Sequence, residues 1–346
     1  MSEGQGSLSS LSRRHALYRL MMVSCCAALP PIVGRTAFPE GPQNNSPHTS
    51  EPTGNSTVDA ILGSFESMPL LTTRINDRIA MLSGPGGNML VLTTSDGALI
   101  VDTGVHPTAA KVFAGAQAFA GKPITTVVNT HWHFDHVGGN EFFAGRGARL
   151  IAHENTRARM SHNQLIEAFN YVVPASPKKA LPTITFPELM TLHFGSDVLH
   201  LEHVAPAHTD NDILVHIPDA NLLHTGDILF NGVYPAIDYS TGGWIGGMVA
   251  AENRALALCD AQTRVIAGHG PMGSVGDLRA AREMLATIQA RIEKLLDAGK
   301  STDQIVAAAP TRNFDDRWGK GLYNGEAFTR LATAGIIRHR QSLARG

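Results

Sequence analysis

The stretch "NTHWHFDHVGGN", residues 129–140, sets His131, His133, Asp135 and His136 within six positions. Neutral imidazole with carboxylate is a common ligand set for zinc. The preceding "ITTVVNT" is β-branched and strand-like, so the cluster is expected on the loop that leaves a strand. At a period of two, His131, His133 and Asp135 project to one side while Trp132 and Phe134 face the core. His136 follows as the chain turns. Gly138 and Gly139 are expected to supply the tight backbone of that turn. Four polar groups at the end of a buried strand would each be costly if desolvated without partners, and a divalent cation pairs with them directly.

One cation cannot use all four donors and stay reactive, so further ligands are expected just beyond the ends of other strands. Three candidates stand there: His208 in "VLHLEHVAPAHTDND", Asp227 in "ANLLHTGDILF" and His269 in "TRVIAGHG". Singly each is weak, because "HTGD" also reads as a turn and "GHG" as a loop with an incidental histidine. Their order and shared context carry the signal.

The elements that must position these residues begin near Ala60, where short apolar runs alternate with turn clusters and amphipathic segments. "RIAMLS", "NMLVLTTSDGALIVDTG", "ITTVVNT", "ARLIAH", "VLHLEHV", "DILVHIP", "NLLHTGD" and "RVIAGHG" read as strands. "HPTAAKVFAGAQAFAG" and "GMVAAENRALALCDA" read as helices. The clearest helix carries Leu278, Leu285, Ile288, Ile292 and Leu295 on one face, with Ser274 and Asp277 as capping pair and Gly299 at its end. Ser301 with Gln304 opens a second, short one. Hairpin-like strand pairs mixed with helices indicate an α/β sandwich.

At 346 residues, 43% hydrophobic and 17% charged, the chain can bury a large core. A formal charge of −2 gives no broad basic field, which disfavours nucleic acid or an anionic membrane as main partner and favours a small molecule. Of 3 cysteines, Cys25 and Cys26 are adjacent and Cys259 stands alone, which excludes a disulfide scaffold. Residues 1–37 resemble an export signal: Arg13, Arg14 and Arg19 precede a short apolar run broken by Pro30 and Pro31. The "SRRHAL" segment is similar to a twin-arginine signal toward a bacterial periplasm, although Ala16 stands where an aromatic residue is usual. Lipid attachment at Cys25 or Cys26 and an untargeted leader are the alternatives. Residues 38–58, rich in Pro, Ser, Asn and Gly, are expected to be a disordered linker ahead of one domain over 59–346, whose C-terminal helical part spans 274–346.

The series Asp102 in "LIVDTG", then "HWHFDH", "AHTD", "HTGD" and "AGHG", from about Asn76 to Pro271, resembles the metallo-β-lactamase fold superfamily. The resemblance implies a four-layer αββα sandwich with metals at one edge. It implies that His131, His133 and His208 hold one metal, that Asp135, His136 and His269 hold a second, and that Asp227 bridges them. Asp102 would support the metal loop. Two zinc ions per chain are expected, iron and manganese being compatible with the same donors. The implied chemistry is hydrolysis, a metal-bridging hydroxide attacking an ester, thioester, lactone or amide-like bond of a small molecule. Asp135 is expected to orient that nucleophile, and His224 to act as supporting group or proton donor. An aspartate at 227 is similar to glyoxalase II-type thioesterases, lactonases and phosphodiesterases, whereas true metallo-β-lactamases usually carry Cys or Ser there. No glutathione-binding features are recognisable. β-Lactam hydrolysis and a mononuclear iron sulfur dioxygenase are the alternatives. Diiron flavoproteins usually have Glu where His133 stands, and a non-catalytic binding protein is disfavoured because every ligand position is filled. "GVYPAIDYSTGGWIGG", with Tyr234, Asp238, Tyr239 and Trp244, reads either as a substrate-facing loop or as a packed connection, and "NFDDRWGKGLYNGEAFTRL" is assigned no chemistry.

Overall fold

The computed structural model describes residues 53–204 and 206–345. Seven strands form one mixed sheet. β1 (Leu71–Arg74), β2 (Ile79–Gly84), β3 (Gly86–Thr94) and β4 (Gly97–Val101) are antiparallel; β5 (Ile124–Val128), β6 (Arg149–His153) and β9 (Ile184–Phe186) continue it in parallel. A hairpin of β7 (Gln164–Ile166) and β8 (Tyr171–Val173) stands apart. The second sheet runs in chain order through β10 (Leu189–Phe194), β11 (Asp197–His203), β12 (Ile213–Ile217), β13 (Leu222–His224), β14 (Arg264–Ile266) and β15 (Gly273–Ser274). It is antiparallel except between β13 and β14.

Alternation along the strands builds the layers. In β3, Leu90 and Leu92 enter the core between the sheets, where they meet Leu201 and Val215 of the second sheet. Met89 and Val91 of β3 point the other way, against Val112 and Ala116 of α2 (Ala109–Ala120); α1 is the preceding helix, Ser56–Ser67. The outer face of the second sheet, with Leu214, Leu223 and Val265, is covered by α6 (Ile245–Ala257), α7 (Val275–Asp297) and α10 (Gly325–Leu343). The order is helix, sheet, sheet, helix, the expected αββα sandwich. Between these helices lie α3 (Phe134–Val137), α4 (Asn140–Ala144), α5 (Glu154–Met160), α8 (Thr302–Ala307) and α9 (Asp315–Trp318).

Both expected capping boxes form: Ser274 with Asp277 opens α7, and Ser301 with Gln304 opens α8. Other expectations are corrected. The linker does not extend to Val58. Asn55 accepts from the N–H groups of Thr57 and Val58 and starts α1, and Val58 is buried against Trp132 and Phe134. The rest of that linker, and residues 1–37 with Cys25 and Cys26, lie outside the described residues. Strands β1, β7–β10 and β15 and helices α1, α3–α5, α9 and α10 add to the elements read from sequence; the strands other than β10 are of four residues or fewer, too short to show a period.

Candidate functional site

The donor residues all leave the same edge of the sandwich. His131, His133, Asp135 and His136 follow β5, and Asp102 follows β4. His208 lies between β11 and β12, Asp227 follows β13 and His269 follows β14. The period-two alternation holds only to His133. Phe134–Val137 is a helical turn, so Asp135 and His136 reach the cluster from a helix and not from an extended strand. Gly138 and Gly139 have right-handed helical backbones, so their lack of a side chain serves close packing and not a special turn. A Cβ at Gly138 would lie 2.4 Å from the His106 nitrogen, and one at Gly139 2.6 Å from the Thr103 carbonyl oxygen. At Gly268 a Cβ would lie 2.0 Å from Asp227 Oδ1, so only glycine lets the chain pass behind that carboxylate.

The structure brings all seven expected ligands together. One ligand atom from each lies within 4.8 Å of the others in three overlapping groups: His131, His133 and His208; His131, His136 and Asp227; Asp135, His136 and His269. Asp227 Oδ2 lies 3.4 Å from His208 Nε2 and 3.5 Å from His269 Nε2, so this one carboxylate reaches both sides of the cluster.

The outer nitrogens of four imidazoles face oxygen. His208 Nδ1 is 2.8 Å from the Ala236 carbonyl, and His133 Nε2 is 3.2 Å from Asp238 Oδ2. His131 Nδ1 is 3.0 Å from Thr130 Oγ1, which itself donates to Asp102 Oδ2 at 2.7 Å. His136 Nδ1 is 2.8 Å from that same Asp102 oxygen. Such acceptors hold the ring proton on the outside and leave the inner nitrogen bare, the arrangement found behind metal-binding histidines. Asp102 also accepts from the Thr130 N–H at 2.8 Å and keeps an uncommon φ of 62° to do so. It therefore supports the loop, as expected.

Inside, acceptors face acceptors. His133 Nδ1 is 2.8 Å from His208 Nε2 and 3.2 Å from His131 Nε2. His136 Nε2 and Asp227 Oδ1 are buried without a hydrogen-bond partner, although only 3.1 Å apart. Buried polar atoms are nearly always partnered. A convergent set of nitrogen and carboxylate donors lacking protein partners fits divalent cations in charge and type. Burial pushes His131 and His208 below the ordinary imidazole range, His208 to about 4, so both are neutral and ready to ligate. Burial acts the same way on His136 and His269, but Asp227 and Asp135 outweigh it and raise both, His269 to about 9. Asp227 is held well below the usual carboxylate range because His136, His269 and His208 outweigh its burial.

A cleft opens over the donors. His133, Asp135, His208, Asp227 and His269 lie at its floor. Its walls are apolar: Ile61, Phe65 and Met68 from α1 and its cap, and Ile166 and Phe169 from the β7–β8 hairpin. Phe230, Val233 and Ile237 follow β13, and Leu322 and Tyr323 precede α10. Phe230 and Phe65 both stack on the His269 ring, at 5.0 and 6.0 Å between centroids.

The expected loop 232–247 divides. Tyr234 and Asp238 line the cleft, whereas Tyr239 and Trp244 do not: Tyr239 is buried in the helical layer and Trp244 stacks on His339. His224 is corrected as proton donor. It is fully buried away from the cleft, with Nε2 3.1 Å from the Asn88 carbonyl and Nδ1 accepting from the Gly226 N–H at 3.1 Å. It holds the turn that presents Asp227, which is the supporting half of its expectation. Sequence reading missed α1 and Tyr323, which carry no donor motif; the amphipathic spacing of Val58, Ile61, Phe65 and Met68 was the available signal for α1.

A mixed αββα sandwich with histidine and aspartate donors crowded at one edge defines a metal-site fold, and the comparisons give it a family. The family model described as the metallo-beta-lactamase superfamily matches residues 83–292, more than half of the chain, and the protein belongs to that superfamily. The match begins later and ends later than the motifs alone indicated. The chain is 31% identical over 147 residues to a hydroxyacylglutathione hydrolase of Nitrosococcus oceani, covering 42% of this chain and 48% of that one. It is 26% identical over 176 residues to the 2,4-dinitroanisole O-demethylase subunit alpha of a Nocardioides species, covering 49% of each. The chain thus spans about half the length of these curated relatives. Among solved structures, a metallo-beta-lactamase from Pontibacter korlensis aligns with TM-score 0.52 at 21% identity, over 63% of this chain and 99% of that one, a likeness of fold.

Proposed function

We propose that the protein is a zinc-dependent hydrolase of small molecules, acting on an ester, thioester, lactone or amide-like bond. His131, His133 and His208 would hold one cation and Asp135, His136 and His269 a second, with Asp227 within reach of both groups. The observation that carries this reading is that His136 Nε2 and Asp227 Oδ1, buried at the centre of seven converging donors, have no hydrogen-bond partner, while the outer nitrogens of His208, His133 and His136 do. The hydroxyacylglutathione hydrolases among its relatives support it.

Divalent cations held there would supply Lewis acidity and lower the pKa of a bound water to about 7. The chain's own residues do the rest. Asp102 fixes the His131 ring through Thr130 and the His136 ring directly. Asp135 Oδ2, 3.2 Å from His269 Nε2 at the cleft floor, is placed to orient the attacking water by accepting a hydrogen bond from it. Apolar walls exclude bulk solvent and strengthen every polar contact at the floor. Asp238 is committed to His133, Ser240 and Thr241, so it orients a ligand and does not bind substrate. A small molecule is the partner of this site, and the leader-like residues 1–37 support export to the periplasm.

Metal analysis and a screen of the zinc-loaded protein against thioesters, lactones, β-lactams, phosphodiesters and 2,4-dinitroanisole test this. About two zinc per chain with turnover of at least one carbonyl-centred substrate is expected. One iron per chain with oxygen-dependent thiol consumption, or no turnover of any bond, would overturn it.

A further inference from the structure

The family match covers every metal donor but leaves out two parts of the cleft wall, α1 on the N-terminal side and Leu322–Tyr323 on the C-terminal side. These two parts of the wall therefore lie outside the matched region, while the donors at the floor lie within it. Its chemistry is one-sided. Among the described residues no lysine or arginine lines the cleft, and the only carboxylates there are Asp135 and Asp227 in the donor cluster and Asp238, whose oxygens are taken by His133, Ser240 and Thr241. No ionic group is left over to recognise a charged substituent, whereas aliphatic and aromatic side chains meet from four separate elements.

Helix α1 is built to be such a wall. Ile61, Phe65 and Met68 recur at helical spacing and line the cleft, while Ala60, Gly63 and Glu66 on the remaining surface are exposed. Both ends are tied down. Asn55 Nδ2 donates to the Phe169 carbonyl at 2.9 Å, Val58 is buried beneath, and Lys111 Nζ donates to the Met68 carbonyl at 2.7 Å. The middle of the helix thus forms one wall of the cleft, and Phe65 stacks on His269.

The structure assigns to this site substrates whose group beside the scissile bond is uncharged and apolar, an aliphatic or aryl moiety bound against α1. This rests on the hydrolase reading for the bond itself. The anionic peptide of a glutathione thioester and the carboxylate of a β-lactam would find no countercharge on the wall, and desolvating them there would be costly. Each methylene that enters the wall is expected to raise binding by about threefold to fourfold.

The test has two readouts. The zinc-loaded full chain is assayed with p-nitrophenyl acetate, hexanoate and decanoate and with the anionic p-nitrophenyl succinate. Independently of turnover, binding of the neutral dye N-phenyl-1-naphthylamine is followed by fluorescence and displaced with decanamide. kcat/KM is expected to rise with chain length and to be lowest for the succinate. Ile61→Asp is expected to weaken displacement by decanamide at least tenfold and to flatten the chain-length series, while Glu66→Gln on the exposed side changes neither. Should Ile61→Asp fail to fold, Met68→Ser serves in its place, with the same direction. A flat series, a preference for the succinate, or wall variants that bind decanamide like the parent would overturn the inference and leave the hydrolase reading standing. Dye and decanamide binding that depends on Ile61 without hydrolysis of any ester, thioester, lactone or amide would sink the hydrolase reading and leave this one.

Discussion

Asp227 and Glu252 are both carboxylates removed from water, at 4% and 1% exposure, yet their surroundings drive them in opposite directions. Asp227 stands among imidazoles that hold it ionised. Glu252, on α6 in the helical layer, is pushed well above the ordinary value of 4.5 by burial, which outweighs the opposing Arg282, and its Oε2 has no hydrogen-bond partner. The first burial concentrates charge so that a cation can enter; the second keeps a proton on the acid and costs stability at neutral pH. Buried charge in this protein survives where opposing groups converge, and elsewhere is neutralised.

The comparison is broken most sharply at Asp227. Asp227→Ala is expected to lower kcat/KM by three orders of magnitude or more and to reduce metal content at both sites, read by elemental analysis and steady-state kinetics. Full activity with unchanged metal would remove the bridge. A smaller effect is expected one layer out. Asp102→Asn weakens the acceptor shared by Thr130 and His136 and should weaken zinc binding by about 10- to 100-fold in chelator competition, with less effect on the fold.

Glu252→Gln sharpens the other side of the comparison. The acid ionises near 4.5 when unfolded but stays protonated far higher when folded, so the parent loses stability as pH rises above about 4.5. The variant has no such slope. Its Tm should exceed the parent's by a few degrees at pH 8, the gap closing below pH 4.5; an equal or lower Tm at pH 8 would mean that Glu252 has an ionic partner after all. The smallest effect is expected at Gly63→Ala on α1, where an added Cβ meets nothing within 4 Å. It should stabilise the helix by about 0.8–1.0 kcal/mol, seen as slower amide exchange in residues 58–66.

The donor set was legible because chemistry restricts it: His131, His133, Asp135, His136, His208, Asp227 and His269 sit at strand ends in an order few other arrangements share. The layers were legible from alternation, as in β3, and α7 from its capping box. His224 was misread because a histidine beside a ligand looks the same in sequence whether its nitrogens face a cleft or a backbone. Tyr323 was missed because a segment between helices has no periodicity to betray what it lines, and α1 was partly absorbed into a linker because its polar N-terminal turn resembles one.

Local residue chemistry thus determined which side chains form the floor of the site, since ligand type, strand-end position and turn geometry are encoded within short segments. Only the tertiary structure decided what stands above that floor. The wall joins α1, the β7–β8 hairpin, the segment after β13 and Tyr323, parts far apart in the chain whose apolar side chains look like ordinary core until packing leaves one face of them open to the cleft.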